Sequence, residues 1–399
     1  MRTVDDPLGT AGPAEQQPDS PWPGAGAPAG PGSPPGSGVT ENPGGPLRRH
    51  RGRLLAVTAA VALVAGAGSA WAATASGTPV LTTSQIAAKT GPAIVDVVST
   101  LGYQGATAAG TGIVLTSSGE VLTNNHVIDG ATAIKVRDVG NGRVYTATVA
   151  GYDAARDIAV LRLQGASGLA TASLGDSARV RSGQRVVAMG NAGGTDGTPS
   201  VAGGRVTGLD QSITASDESA GTAEQLQGLI RTNADIQPGD SGGPLINASG
   251  QVIGINTAAS ATSGNQVSSA TATQAFAIPI NEATAIASQI DAGKSSATVH
   301  VGATAFLGVA VISAGGASGF PAGPGAQVAG VAASSAAARA GLTAGDSITS
   351  LGGHAVTSPA QIRSVLTAHH PGDKISITWT DPASGSHRAT VVLASGPPA

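Results

Sequence analysis

The chain has 399 residues, room for two or three domains. Only 11% of them are charged and the formal net charge is -3, so no basic field is available to hold nucleic acid. Cysteine is absent, which excludes disulfides, thiol nucleophiles and cysteine-ligated zinc or iron–sulfur sites. With 2% aromatics, any core has to be built from Val, Ile, Leu and Ala, and the 59 glycines suit short strands joined by turns better than long helices.

Residues 1–47 are rich in Pro, Gly, Ala and Ser and carry almost no large apolar side chains. Such a segment cannot bury enough surface to offset its ordering entropy, so a disordered tail is predicted. A basic cluster (Arg48, Arg49, His50, Arg51 and Arg53) then precedes an uncharged apolar run from Leu54 to about Ala73. At ~1.5 Å per residue, about 20 residues cross the ~30 Å hydrocarbon core of a bilayer. Residues 48–73 are therefore expected to form a basic flank and a single transmembrane helix, with the tail in the cytoplasm and the rest of the chain outside it. Ala70-Trp71-Ala72 supports a second reading, a cleaved signal peptide that releases a secreted protein.

From 82 to 292 the pattern is one of short β-like runs bounded by Gly, Ser, Asn and Asp. Thr111–Leu115, the turn Ser117-Ser118-Gly119 and Val121–Thr123 read as a hairpin. Ile158–Leu163 and Gln251–Ile255 read as further strands. Many short strands with Gly-rich turns suggest a barrel or a sandwich. After Pro279, Ala283, Ile286 and Ile290 recur at helical spacing. The stretch 303–396 reads as a separate α+β module. Within it Ser358-Pro359-Ala360-Gln361 opens a helix running to about Ala368, with an N-cap Ser, Pro at the first helical position and Gln three residues after the cap.

The strongest local signal is Gly239-Asp240-Ser241-Gly242-Gly243-Pro244. A serine hydroxyl needs a base to take its proton and backbone donors aimed at the developing oxyanion. The flanking glycines let the chain turn sharply, so Gly239, Asp240 and Ser241 form the expected oxyanion loop, with the amides of Gly239 and Ser241 brought to one point. Of the seven histidines, only His126 lies in the β-rich region, directly after a strand. Asp129, Asp153 and Asp157 are the candidates to orient its ring. Asp129 is too near in sequence to reach the far ring nitrogen, whereas Asp157 directly precedes the strand Ile158–Leu163 and is the preferred choice. The resulting order His126, Asp157, Ser241 is that of chymotrypsin, not of subtilisin or the α/β-hydrolases.

Together these motifs resemble the HtrA (Deg) family of trypsin-like serine proteases. Thr123-Asn124-Asn125-His126-Val127 matches its histidine motif, Asp157-Ile158-Ala159-Val160-Leu161 its aspartate motif, and Phe276-Ala277-Ile278-Pro279 the segment that closes its protease domain. Two departures stand out. Asp240 occupies a position that is often Asn in the family, and Met189–Gly194 lacks the usual proline-containing loop. The resemblance implies an all-β, chymotrypsin-like double barrel over 82–292 and a small α+β PDZ domain over 303–396. In that domain Phe306-Leu307-Gly308-Val309 resembles the carboxylate-binding loop, and Ala338–Leu342 with Gly345–Ile348 resembles the turn of HtrA-associated PDZ domains. Extended peptides would add beside this loop and have their C-terminal carboxylates captured there, with Phe306, Leu307 and Val309 as apolar walls. Asp235, six residues before Ser241, stands where trypsin-like enzymes place the floor of the first pocket and would select Arg or Lys. The preferred alternative is a small apolar pocket made by Ile236 and the loop after Thr257.

The function expected is a serine endopeptidase cleaving unfolded or misfolded proteins outside the cytoplasmic membrane through an acyl-enzyme on Ser241, with no metal or organic cofactor. The partners expected are protein and peptide substrates and C-terminal peptides. A homo-oligomer is left open, since HtrA-like proteins are often trimeric but no aromatic staple precedes the barrel here. A catalytically silent PDZ scaffold and a hydrolase of small esters are the competing readings.

Overall fold

The computed structural model describes residues 80–191, 198–217, 222–257, 275–312 and 325–398. The expected tail and membrane segment lie outside these residues. Among the described residues no helix is long and apolar enough to cross a membrane.

Helix α1 (Thr83–Thr90) opens on a capping box, in which Gln85 N–H donates to Thr82 Oγ1 and Thr82 N–H to Gln85 Oε1. It buries Ile86. Six antiparallel strands follow: β1 (Ile94–Leu101), β2 (Ala106–Val114), β3 (Glu120–Thr123), β4 (Ala133–Asp138), β5 (Val144–Asp153) and β6 (Ile158–Leu163). The expected hairpin is β2–β3, with Ile113 opposite Leu122. Strand β1 pairs with β2 and β4, β3 with β6, and β5 with both β4 and β6, so the ring closes. Closure leaves no unpaired edge, and the β-branched Val95, Val97, Val114, Val121 and Val136 fill the interior.

A second barrel is built from β7 (Arg185–Gly190), β8 (Ser200–Asp217), β9 (Thr222–Thr232), β10 (Pro244–Asn247), β11 (Val252–Thr257) and β12 (Ala275–Pro279), closed in the order β10-β11-β12-β9-β8-β7. Helix α2 (Ile280–Asp291) then runs from the second barrel back to the first. Its buried stripe, including Ala283, Ile286 and Ile290, joins a cluster with Ile113, Leu122, Ile158 and Val160 of the first barrel and Leu229, Val252, Ile255 and Phe276 of the second. The helical spacing seen in the sequence is thus the seam between two barrels. Strand β13 (Val299–Val301) finishes this part by pairing with β5.

The remaining elements form the C-terminal module: β14 (Thr304–Phe306), β15 (Val309–Ile312), β16 (Ala326–Val331), α3 (Ala336–Ala340), β17 (Ser347–Leu351), β18 (His354–Ala355), α4 (Pro359–Thr367), β19 (Lys374–Thr380), β20 (Ser386–Val392) and β21 (Ala394–Gly396). The main sheet runs β15-β16-β17-β19-β20, with β15 as an end strand, and β14 pairs with β21. The start of α4 differs from the expected capping box. Ser358 is extended (φ -152°) and its side chain makes no cap bond. Gln361 instead reaches one residue further back, where its Oε1 accepts from the Thr357 N–H at 2.5 Å and from the Thr357 hydroxyl at 3.0 Å.

Barrel and module meet at defined contacts. Buried His300 on β13 has Nδ1 2.8 Å from the Thr367 carbonyl at the end of α4, and Nε2 3.1 Å from the Ala303 carbonyl. Its ring lies against those of Tyr152 and His370, each at 5.2 Å between centroids. Tyr103, in the β1–β2 turn, stacks on Phe306, and Arg363 on α4 pairs with Asp129 at 3.5 Å.

Candidate active site

Ser241 sits in a tight turn that ends where β10 begins. Gly242 there has φ +85°, and a Cβ on it would lie 2.0 Å from the Thr111 carbonyl oxygen and 2.4 Å from Thr123 Oγ1. Only glycine permits both that conformation and that approach to the first barrel. Thr111 on β2 makes the junction. Its N–H donates to the Ser241 carbonyl at 2.8 Å, its hydroxyl donates to the Gly239 carbonyl at 2.7 Å and accepts from the Asn191 N–H at 2.9 Å, and its carbonyl accepts from Thr123 Oγ1 at 2.7 Å. On the other side, β11 holds the turn by Gly242 N–H to Asn256 O at 2.9 Å and Asn256 N–H to Gly243 O at 2.8 Å.

Gly239 has φ +97°, and its N–H donates to no other group among the described residues. Asp240, expected within the oxyanion loop, adds no donor of its own to it. Its N–H closes the turn onto the Gln237 carbonyl at 3.0 Å and is therefore not aimed at a substrate. Its carboxylate is buried and supports the same turn by accepting from the Gln237 N–H at 2.9 Å.

His126 follows β3 directly and Asp157 precedes β6, two strands paired Thr123 to Ala159. Asp157 adopts a left-handed backbone (φ 53°, ψ 44°), tolerable for Asp among non-glycine residues, and Asn124 Nδ2 fixes it by donating to its carbonyl at 2.8 Å. Its buried carboxylate receives the His126 N–H at 3.0 Å and lies 3.0 and 2.9 Å from His126 Nδ1 through its two oxygens. Thr257, at the end of β11 in the second barrel, donates to Oδ2 at 3.4 Å. The rival carboxylates are placed elsewhere. Asp153 caps a short turn through Arg156 N–H and accepts from the Thr298 hydroxyl at 2.8 Å, and Asp129 pairs with Arg363. Gly110 on β2 lies between the residue after His126 and the Ser241 turn, since a Cβ on it would lie 2.7 Å from the Val127 side chain and 3.2 Å from the Ser241 carbonyl.

Asp235 is exposed, with its carboxylate 2.5 Å from Gln237 Nε2, whereas Ile236 is buried beside Ala234, Leu245 and Ile253. The loop after Thr257 lies outside the described residues. In the module, Gly308 has φ +84° and a Cβ on it would lie 2.1 Å from Ser335 Cβ. Phe306 and Val309 are half-buried, but Leu307 is fully buried in the module's core, so it cannot serve as the groove wall expected of it. Leu307 lies in the link between β14 and β15 and joins the buried cluster that includes Ala305, Val328 and Leu351. Thr111, Asn124, Ser200 and Thr257 were not anticipated, since a lone hydroxyl or amide in a strand or loop carries no pattern.

A family model for the trypsin-like peptidase domain matches residues 110–255, and one for the PDZ domain matches 305–380. With the closed double barrel, these matches define the class: a trypsin-like serine endopeptidase carrying a C-terminal PDZ domain. Over 395 residues the chain is 32% identical to the serine protease PepD of Mycobacterium tuberculosis, covering 89% of this chain and 81% of that one. It is 37% identical over 270 residues to the serine protease Do-like HtrB of Bacillus subtilis, covering 64% of this chain and 55% of HtrB. It is also 37% identical over 272 residues to the periplasmic pH-dependent serine endoprotease DegQ of Escherichia coli, covering 67% of this chain and 55% of DegQ. The chain belongs to the HtrA family of serine proteases, and it spans about half the length of the last two relatives.

Thr111→Val keeps the shape of the junction and removes the hydroxyl that bridges Gly239 O and Asn191 N–H. Leaving buried partners unpaired costs about 1–3 kcal/mol each, so urea unfolding should show a loss of that order, while Thr111→Ser stays near the parent. Equal stability of Thr111→Val and the parent would contradict the bridging role.

Proposed function

We propose that Ser241 is the nucleophile, His126 the general base and then acid, Asp157 the group that orients the imidazole, and the amides of Gly239 and Ser241 the oxyanion donors. The observation that carries this reading is the two-oxygen contact of Asp157 with His126 Nδ1, which leaves Nε2 as the ring nitrogen for proton transfer. Ser241 Oγ attacks the scissile carbonyl as its proton passes to His126. The tetrahedral oxyanion is met by the two amides, and His126 returns the proton to the leaving amine. Water, deprotonated by His126, then hydrolyses the acyl-enzyme and regenerates Ser241.

The substrates we infer are extended, unfolded protein segments, a reading supported by a proteolytic barrel joined to a peptide-binding module. Ile236 and the exposed placement of Asp235 favour a small apolar residue at the cleaved bond over Arg or Lys. In the module, an incoming peptide would pair with the end strand β15, its carboxylate at the Phe306–Gly308 turn and α4 as the opposite wall. Work outside the cytoplasmic membrane is supported by the Arg48–Arg53 cluster before the apolar run and by the periplasmic DegQ among the relatives. A membrane anchor is preferred to a cleaved signal.

Ser241→Ala and His126→Ala should each lower kcat on denatured casein by about 10⁴–10⁶, with the double variant little worse than either, because the two act as one proton-transfer unit. Asp157→Asn should be severe and Asp153→Asn mild; retained proteolysis in Ser241→Ala, or the reverse order of the two aspartates, would sink the assignment. For the module, fluorescence anisotropy should show micromolar binding (about -8 kcal/mol at ~1 μM) of peptides ending in Val, Leu or Ala, lost on C-terminal amidation. Equal binding of free-acid and amidated peptides would rule out carboxylate capture. For the location, protease added to wall-stripped cells should degrade the barrels and spare a short N-terminal fragment; full protection of the barrels would place them inside.

A further inference from the structure

The carboxylate of Asp240 is 2% exposed and lies beneath the turn that carries Ser241. Among the described residues no Lys, Arg or His forms an ion pair with it. A buried carboxylate without a counter-charge depends on hydrogen-bond donors to replace the water it has lost. Two are in place. The Gln237 N–H donates to Oδ2 at 2.9 Å, and the Ser200 hydroxyl donates to Oδ1 at 2.5 Å. Ser200 Oγ is also 3.0 Å from the Gly190 carbonyl, and its single proton is directed to the shorter, charged contact. The ends of β7 and β8 are pressed against this group, for a Cβ on Gly190 would lie 2.5 Å from Asp240 Cα. Asp240 in turn shapes the oxyanion loop. Its carboxylate and its own N–H both bond Gln237, closing residues 237–240 into one turn, and Gly239 is the residue that this turn presents.

We infer that Ser200 is a positioning residue for the oxyanion site: its hydroxyl holds the buried Asp240 carboxylate, and that carboxylate sets the turn that aims the Gly239 amide. The inference rests on the proposed roles of Gly239 and Ser241. Ser200 touches neither substrate nor reacting atoms, so its effect belongs to the transition state and not to substrate binding. Removing an oxyanion donor outright costs about 10²–10³ in kcat, and misplacing one costs less, about 10–100-fold.

The test is steady-state cleavage of a fluorogenic peptide by the full chain, with thermal melts to check folding. Ser200→Ala should lower kcat about 10–100-fold with KM little changed. Ser200→Thr, which keeps the hydroxyl, should recover most of the loss. Ser200→Ala/Asp240→Asn replaces the unsupported buried charge by a neutral amide. It should exceed Ser200→Ala in kcat, or fold where Ser200→Ala does not. Parental kcat in Ser200→Ala, a change confined to KM, an equal loss in Ser200→Thr, or a double variant no better than Ser200→Ala would each overturn the inference. Ser241→Ala, measured alongside, separates the two levels: activity there would overturn the proposed nucleophile itself, whereas an inactive Ser241→Ala beside a fully active Ser200→Ala would overturn only the role of Ser200.

Discussion

Everything at this site depends on one constraint: a turn from the second barrel has to be held against a strand of the first. Thr111 does this with its backbone N–H and its hydroxyl, while its carbonyl is held within the first barrel by Thr123 Oγ1, and Gly242 permits the approach because a Cβ would collide with that carbonyl. His126 and Asp157 come from the first barrel and Ser241 from the second, so neither barrel holds the constellation alone. Thr257 repeats the logic from the opposite direction, reaching from β11 to Asp157. The apolar counterpart is α2, whose buried stripe closes a core shared by both barrels. Burial along that seam supplies a non-directional force, and the hydrogen bonds of Thr111 convert it into a fixed geometry.

The PDZ module is joined to the first barrel at positions that also belong to its proposed peptide groove. Phe306, in the proposed carboxylate-binding turn, is stacked by Tyr103. Arg363 and Thr367 of α4 contact Asp129 and His300. Asp129 lies three residues after His126, so α4 contacts the loop that carries the proposed base. The module therefore meets the barrel through packed side chains of ordered elements.

Much of this was legible in the sequence where chemistry or periodicity leaves a pattern. The Gly239–Pro244 string, the one histidine of residues 82–292 and the strand after Asp157 pointed to the constellation, and the spacing of Ala283, Ile286 and Ile290 pointed to α2. Misreadings arose where a residue's role depends on which way it faces. Leu307 looked like a groove wall and is core, because the link between β14 and β15 packs it inward against Ala305, Val328 and Leu351. Asp240 was placed within the oxyanion loop, but nothing in the sequence showed that its amide and its carboxylate both close the turn on Gln237. Ser358 looked like a side-chain cap, whereas Gln361 bonds Thr357.

What the sequence by itself determined was local: the reactive string, the order of His126, Asp157 and Ser241, the alternation that makes strands and the stripe that makes α2. These follow from bonding and side-chain period within a few residues. Only the tertiary structure decided that the strands close into two separate six-stranded rings, that Thr111 bridges them, and that Ser200 supports Asp240 from 40 residues away. Each of those contacts joins distant chain segments through a single hydroxyl. A single hydroxyl has no period and no composition to betray it, and its partner is set by how the barrels pack.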